Sequence, residues 1–446
     1  MKRLLVALIL LAAACHGADD EDVQLKLIAN DIKDGDQESL EGLKDLHGEK
    51  PAKLVLDAIH SDRVANGLKA RMAEIVATWP ESAPGRPILL DWITRHPNCS
   101  DDELLFFANI HLKETRSFFW SQIEQAKGDP AKIRHPQRVA MAVMALGFFE
   151  DNPEPVVVRI GKLLAADHPH VIRACCADAL GGMRHAMAVQ ALIPHVEDDA
   201  VGPQVVRSLY RLTGQHFDQD PAMKWRDWLA TNSGSMDFKM HTQADFDNFR
   251  KMQALLNPPD DSAMDMSTFY GIDLRGNAML FVLDVSGSMN SEDRISKLRA
   301  QMSNILVILE SRSEKLRFGI AIFGEDVRSC FTRGIMPNDE SNRKKAARFV
   351  DDLQADGGTP MVEVLDFANR KLLPDANVDT IYFLSDGAPG DGTPEMVLDI
   401  TRKIFQQHRI RFNTVSIGED APAVFGEETL LQQMATLTGG TFTRPK

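Results

Sequence analysis

The feature that most constrains the fold is a short apolar stretch that ends abruptly on polar residues. Ala278 to Leu283 is apolar and β-prone. It is followed at alternate positions by one carboxylate and two hydroxyl side chains, Asp284, Ser286 and Ser288. Such a run is typical of a central parallel strand that is covered on both faces. Because ligands of open α/β sheets sit beyond the carboxyl ends of the strands, the sequence predicts a functional loop here.

Two later loops carry side chains of the same kind. Thr359 follows the pair Gly357-Gly358, which gives its loop freedom to move, and the apolar run from Ile381 ends at Asp386. Mg²⁺ takes about six oxygen ligands and keeps several waters. The three loops together supply part of such a shell and leave a position open, and the neutral hydroxyls keep the ion attractive to an incoming carboxylate.

These residues resemble the metal-ion-dependent adhesion site of the von Willebrand factor A domain, which is written D-x-S-x-S, then a Thr, then an Asp. The resemblance covers roughly residues 277 to 446. It implies that Asp284, Ser286 and Ser288 hold Mg²⁺ or Mn²⁺. It also implies that Thr359 joins directly or through water, and that Asp386 binds directly or from behind the other ligands. The expected partner is a protein that presents an Asp or Glu side chain.

The alternation of elements beyond residue 277 predicts a doubly wound, Rossmann-like α/β domain. Strands are expected at 278–284, 317–323, 329–333, 380–385, 411–417 and 440–443, with helices between them. Residues 233–276, which are rich in Met, Asp and Pro, are predicted to be a linker.

Residues 15–232 are predicted to be helical throughout. Three prolines recur 33 and 34 residues apart, and three glycines recur at matching distances: Pro136, Pro169 and Pro203, then Gly147, Gly181 and Gly214. Pro favours the first turn of a helix and Gly the position after its end, so each pair should bound one helix. The period resembles HEAT repeats and implies a solenoid. His168 and His170 fall in a predicted loop without the further ligands of a metal site.

Residues 1–14 are predicted to be a signal peptide. Lys2 and Arg3 precede an apolar run that is shorter than the roughly 20 residues needed to span a bilayer. The segment Leu11 to Cys15 resembles a bacterial lipoprotein box, so we expect export to the cell envelope, either anchored through a lipid on Cys15 or soluble in the periplasm. A formal net charge of −14 disfavours nucleic acid as a partner.

The function we expect is therefore a non-enzymatic adhesion or adaptor protein, whose helical repeats offer a second protein-binding surface. Three alternatives remain. In the first, Asp284 and Asp386 only cap helices and the serines form a turn. In the second, the domain is a metal-dependent phosphohydrolase, although that class uses D-x-D and here Ser286 replaces the second Asp. In the third, the domain is a subunit of an envelope-assembly or ATPase-associated complex.

Overall fold

The structure is a computed structural model of the 446-residue chain. It describes residues 19–34, 38–61, 63–125, 133–149, 151–152, 154–165, 167–217, 221–232, 241–242, 244–246, 248–249, 252, 268–374, 376–418 and 428–445. The predicted signal peptide at 1–14 and the predicted anchor Cys15 lie outside these residues. So do residues 233–240 and 253–267 of the predicted linker.

The described residues up to 232 are helical. The helices are α1 Asp19–Asp34, α2 Glu49–His60, α3 Asn66–Ala77, α4 Arg86–Arg95, α5 Asp101–Asn109, α6 Arg116–Gln125, α7 Pro136–Gly147, α8 Glu154–Leu163, α9 His170–Leu180, α10 Ala186–Leu192, α11 Gly202–Thr213 and α12 Pro221–Asn232. Short 3-10 helices lie at Glu38–Lys44, Lys113–Thr115 and Ile193–His195. None of the helices that the structure describes has the length and apolar character of a membrane crossing.

The prolines and glycines of the repeat bound helices as the sequence predicts. Pro136 begins α7, and Gly214, with a left-handed φ of 68°, ends α11. His170 does not lie in a loop: Pro169 is the N-cap of α9 and His170 is the first residue of that helix, with its side chain buried. The helical character is confirmed, whereas the HEAT-like identity stays a prediction.

The described residues divide into two compact units after Asn152. The first unit contains α1 to α7. The second contains α8 to α12 together with the whole C-terminal sheet and its helices. The division therefore falls inside the helical region, earlier in the chain than the predicted linker, and helices α8 to α12 belong to the same unit as the C-terminal domain.

Among the described residues after 267, a two-stranded hairpin precedes a seven-stranded sheet. The hairpin is β1 Thr268–Phe269 with β2 Ile272–Asp273. The sheet strands are β3 Ala278–Asp284, β4 Arg317–Phe323, β5 Val327–Ser329, β6 Met336–Pro337, β7 Thr380–Ser385, β8 Arg411–Ser416 and β9 Phe442–Thr443. They lie in the order β5-β4-β3-β7-β8-β9, with β6 also on β4. β5 and β6 run antiparallel to β4 and the other strands are parallel.

Helices cover both faces of this sheet, so the central strands β3 and β7 are buried along their whole length. On one face, α13 Arg294–Glu310 and α14 Glu340–Asp351 pack on Met279, Phe281 and Leu283. On the other, α15 Met361–Phe367, α16 Pro394–His408 and α17 Leu430–Thr438 pack on Leu280 and Val282. A π-helical turn, Ala368–Leu372, extends α15. The α-helical region followed by a doubly wound α/β domain is therefore the predicted fold class.

Polar contacts tie the helices from α8 onward to the sheet domain within the second unit. The backbone N–H of His170 donates to Asn377 Oδ1 at 2.7 Å. Arg409 Nη1 lies 3.6 Å from Asp178 Oδ2. In addition, Arg411 Nη2 donates to the backbone carbonyl of residue 199 at 3.1 Å. The helices from α8 onward are thus docked on the domain by specific hydrogen bonds and an ion pair.

Candidate metal site

The two acidic site residues meet because their strands are paired in register. β3 and β7 are parallel neighbours, with Leu283 opposite Leu384. Both strands therefore end at the same edge of the sheet, and Asp386 lies one residue further along its strand direction than Asp284 does. Asp284 is the last residue of β3, and Asp386 directly follows β7.

A chain of hydrogen bonds connects four of the five predicted ligands. Ser288 Oγ donates to Asp386 Oδ1 at 2.8 Å. Ser286 Oγ and Ser288 Oγ lie 3.0 Å apart, and the backbone N–H of Ser286 donates to Asp284 Oδ1 at 2.8 Å. The structure therefore places these four side chains within one small cluster of oxygen atoms.

Thr359 lies on a loop that borders this cluster. The N–H of Gly287 donates to the carbonyl of Gly357 at 3.0 Å, which holds the loop beside the D-x-S-x-S turn. Gly390 N–H donates to the carbonyl of Thr359 at 2.8 Å. Among the described residues, the Thr359 hydroxyl makes no hydrogen bond. The structure thus brings the Thr359 loop to the site without joining its side chain to the other four.

The two glycines of this loop differ in their freedom to move. Gly357 has φ +75°, and a Cβ there would lie 2.2 Å from the backbone nitrogen of Glu325. At Gly358 a Cβ would meet nothing within 4 Å. Close packing therefore fixes Gly357, and the freedom expected for the pair is available only at Gly358.

Two further residues take part in the site that the sequence pattern did not indicate. Ser385 Oγ donates to Asp284 Oδ2 at 2.6 Å. Arg294, the first residue of α13, places Nη1 3.0 Å from Asp386 Oδ2. The position of Ser385 at the end of β7 was the available signal for the first contact. Nothing in the local sequence around Arg294 indicates the second.

The carboxylates sit at the bottom of the site. Asp284 and Asp386 are buried, as is Ser286, whereas Ser288 is exposed and Thr359 is half-buried. Burial raises the pKa of Asp284 to about 6, against hydrogen bonds from Ser286 and Ser385 that lower it; the nearby Asp386 charge raises it further. A charged carboxylate at this depth needs a cation beside it.

The donor set fits a hard divalent cation. The five predicted ligands all offer oxygen, and carboxylates with hydroxyls and water are the ligands that Mg²⁺ and Mn²⁺ prefer. The interpretation of the carboxylates as helix caps does not match the contacts of Asp386, which accepts from Ser288 and Arg294. The cap of the next helix, α16, is Thr393. The described residues contain no group of three His, Cys, Asp or Glu side chains that could hold a metal, and this site offers two carboxylates with hydroxyls instead.

Comparisons with known proteins locate the similarity in this domain. The family model of the von Willebrand factor type A domain matches residues 277–443. No curated protein matches the chain significantly.

Solved structures that resemble part of the chain include one described as a von Willebrand factor type A protein and two described with a bound metal. A von Willebrand factor type A protein from Catenulispora acidiphila shares 22% identity over 39% of this chain and 39% of its own, with a TM-score of 0.33. Manganese-loaded Plasmodium vivax TRAP protein shares 19% over 32% of this chain and 57% of its own, with a TM-score of 0.27. Proximal thread matrix protein 1 from the mussel byssus, with a zinc-occupied MIDAS motif, shares 17% over 38% and 41%, with a TM-score of 0.30.

The matched region spans less than two thirds of each of these three structures. At such identities and TM-scores they add nothing to the family match. That match coincides with the sheet, its helices and the loops that carry the five predicted ligands. Residues 277–443 of this chain are therefore a von Willebrand factor type A domain.

Proposed function

We propose that the type A domain binds a protein ligand through a divalent cation, Mg²⁺ or Mn²⁺, held by Asp284, Ser286, Ser288, Thr359 and Asp386. The observation that carries this proposal is the cluster of carboxylate and hydroxyl oxygens at the ends of β3 and β7. When bound, the cation supplies a Lewis-acidic centre that attracts an anionic ligand atom.

The burial pattern favours an acidic side chain as the group that is bound. Within the cluster the carboxylates of Asp284 and Asp386 are buried, whereas Ser288 and Thr359 reach solvent. A ligand therefore approaches from the side of the neutral hydroxyls. Arg294 pairs with Asp386 and also with the exposed Glu292. Asp284 and Asp386 match the charge of a divalent cation and the remaining ligands are neutral hydroxyls, so the ion favours an Asp or Glu side chain over a neutral one.

We propose that the domain is a binding module and not an enzyme. The phosphohydrolase alternative needs a second carboxylate where Ser286 stands, and Ser286 cannot act as its general acid at neutral pH. A phosphatase assay of the purified protein with a generic phosphomonoester tests this. Turnover that depends on the metal and on Asp284 would refute the proposal.

We further propose that the protein is exported to the cell envelope, with Cys15 as the site of a lipid anchor. The apolar run after Lys2 and Arg3 and the small residues before Cys15 support this. The helical repeats are then a scaffold for further protein contacts. Membership of an envelope-assembly complex is compatible with the same binding chemistry.

The direct test is Mn²⁺ binding, followed by electron paramagnetic resonance. The protein should bind Mn²⁺, and Mg²⁺ should compete for the site. Asp284→Ala should abolish binding, while the matched control Asp399→Ala, an exposed carboxylate on α16, should keep it. Equal Mn²⁺ binding by the two variants would contradict the proposed site.

A capture experiment then tests the ligand. Immobilised protein is exposed to a cell-envelope extract with Mg²⁺ or with EDTA, beside the same two variants. Partners that need the metal and are lost only with Asp284→Ala support the proposal. Partners that are indifferent to metal and to Asp284 would place the binding function on the helical repeats.

A further inference from the structure

A cavity of about 420 Å³ lies in the second compact unit, away from the metal site. One wall is the first half of α11. The other walls include the end of the β1–β2 hairpin, the buried strand β8 and the turn at 439–441. Binding cavities for small molecules typically have volumes of about 300–1,000 Å³, so this one is large enough for a small organic ligand.

The cavity is lined by an excess of positive charge. Arg207, Arg275 and Arg411 face it, and the only lining carboxylate among the described residues belongs to Asp273. That carboxylate is exposed and lies 3.7 Å from Arg275, so it is screened by water and offsets little of the charge. A basic cavity stands out in a chain whose formal net charge is −14.

Arg207 packs against the backbone, and no carboxylate of the described residues pairs with it. A Cβ on Gly439 would lie 1.9 Å from Arg207 Nη1, so the guanidinium packs directly on that glycine. The side chain is half-buried. Its hydrogen-bond donors have no acceptor among the described residues. An unpaired guanidinium in this position is a donor group that awaits an anion.

Arg411 provides a second, deeper donor group. Only 3% of the residue is exposed, and its Nη2 donates to Thr380 Oγ1 at 2.9 Å as well as to the carbonyl of residue 199. Its Nε has no hydrogen-bond partner in the part of the chain that the structure describes. Burial lowers the pKa of Arg411; the buried Asp379 opposes this, and the charges of Arg207 and Arg275 add to it. The guanidinium groups of Arg207 and Arg275 therefore lie close enough to Arg411 to disfavour its charge.

We propose that this cavity binds a small molecule through a phosphate group, which Arg207, Arg275 and Arg411 contact together. Guanidinium groups bind phosphate through paired charge-assisted hydrogen bonds, and a dianion matches three arginines better than a single carboxylate does. Pro203, at the start of α11, also lines the cavity, and the positive end of that helix dipole favours an anion there.

The site joins two parts of the unit. Arg207 belongs to the last repeats and Arg411 to the sheet, so a bound phosphate would neutralise charge at their junction. Ligand binding should therefore stabilise the docked arrangement of the repeats on the domain. This inference does not depend on the metal site.

Isothermal titration calorimetry of the purified protein tests the proposal in HEPES buffer with EDTA, which keeps the metal site out of the measurement. The three titrants are inorganic phosphate, glycerol 3-phosphate and acetate. We expect saturable binding of glycerol 3-phosphate and none of acetate. Binding of inorganic phosphate alone would still support the phosphate contact but would limit the ligand to the free ion. Absence of saturable binding by both phosphates, or equal binding of acetate, would overturn the proposal.

Variants assign the binding to the cavity. Arg207→Gln should weaken binding by about tenfold or more, because it removes charge-assisted hydrogen bonds. Arg275→Gln, at an exposed position where folding is not at risk, should weaken it as well. The matched control Arg402→Gln, an exposed arginine of α16, should bind as the unaltered protein does. Unchanged affinity in both cavity variants would refute the assignment, and Mn²⁺ binding should be unaffected in all three.

Discussion

His170 makes the docking of the repeats sensitive to acid. Its Nε2 donates to the carbonyl of Arg409 at 3.1 Å, and its Nδ1 has no partner among the described residues. Burial lowers the pKa of His170 from 6.5 to about 3. The charges of Arg411 and Arg173 lower this pKa further, while the hydrogen bond to Arg409 and the charge of Asp198 oppose the shift. The folded protein therefore keeps this ring neutral.

The size of the effect follows from the two pKa values. Below pH 6.5 the histidine is protonated in the unfolded state but stays neutral in the folded state. The free energy of unfolding is therefore highest above pH 6.5 and decreases as the pH falls towards the folded pKa. Each pH unit below that value costs about 1.4 kcal/mol until the folded pKa is reached. Between pH 7.5 and pH 5.0 the second unit should lose about 2 kcal/mol through His170 alone.

Native-state hydrogen exchange, measured by mass spectrometry on peptides of α9, reports the opening free energy of this unit. His170→Gln keeps an N–H for the Arg409 carbonyl and cannot be protonated, so its opening free energy should fall by about 2 kcal/mol less than that of the unaltered protein. His168→Gln is the control: this residue lies just before α9, with its Nδ1 3.0 Å from the Asp167 carboxylate, and the variant should behave as the unaltered protein does. Identical pH dependence in the unaltered protein and in His170→Gln would refute the reasoning.

Three further outcomes are expected. Arg294→Gln should tighten Mn²⁺ binding several-fold, because it removes a positive charge 3.0 Å from Asp386 Oδ2; weaker or equal binding in a paramagnetic resonance titration would contradict this. Gly439→Ala should destabilise β8 and β9 by more than about 1 kcal/mol, since φ is +70° there and Arg207 fills the space; unchanged hydrogen exchange would count against it. Trp225→Ala should cost about 3–5 kcal/mol in the second unit, because only 1% of this side chain is exposed; a loss below 1 kcal/mol would show that the site collapses.

Local pattern was sufficient for the central strands. The predicted bounds 278–284, 317–323 and 380–385 are those of β3, β4 and β7, because each is an apolar run that polar residues bound on both sides. The strand expected at 329–333 is instead Val327–Ser329. Phe331 is buried by packing on Phe318, with ring centroids 5.7 Å apart, in a turn beyond the strand. Apolar character marked burial there but not extended backbone.

The site was predictable only where its groups are attached to those strands. Four of the five predicted ligands lie at or just beyond the carboxyl ends of β3 and β7, so the order of the elements was enough to bring them together. Arg294 and Asp386 are 92 residues apart, and Asn377 and His170 are 207 apart. No periodicity or motif records such pairs, because they depend on how whole elements pack.

The docking contacts decide how mechanical load crosses the protein. A tension applied between the repeats from α8 onward and a ligand on the metal site acts first on the short links at Asn377, Arg409 and Arg411. These three residues sit at the amino-terminal side of the sheet or at the end of α16, opposite the edge that carries Asp284 and Asp386. Force would therefore run along the parallel strands from one end to the other. That direction shears the backbone hydrogen bonds of the sheet together, where a perpendicular pull would open them one at a time.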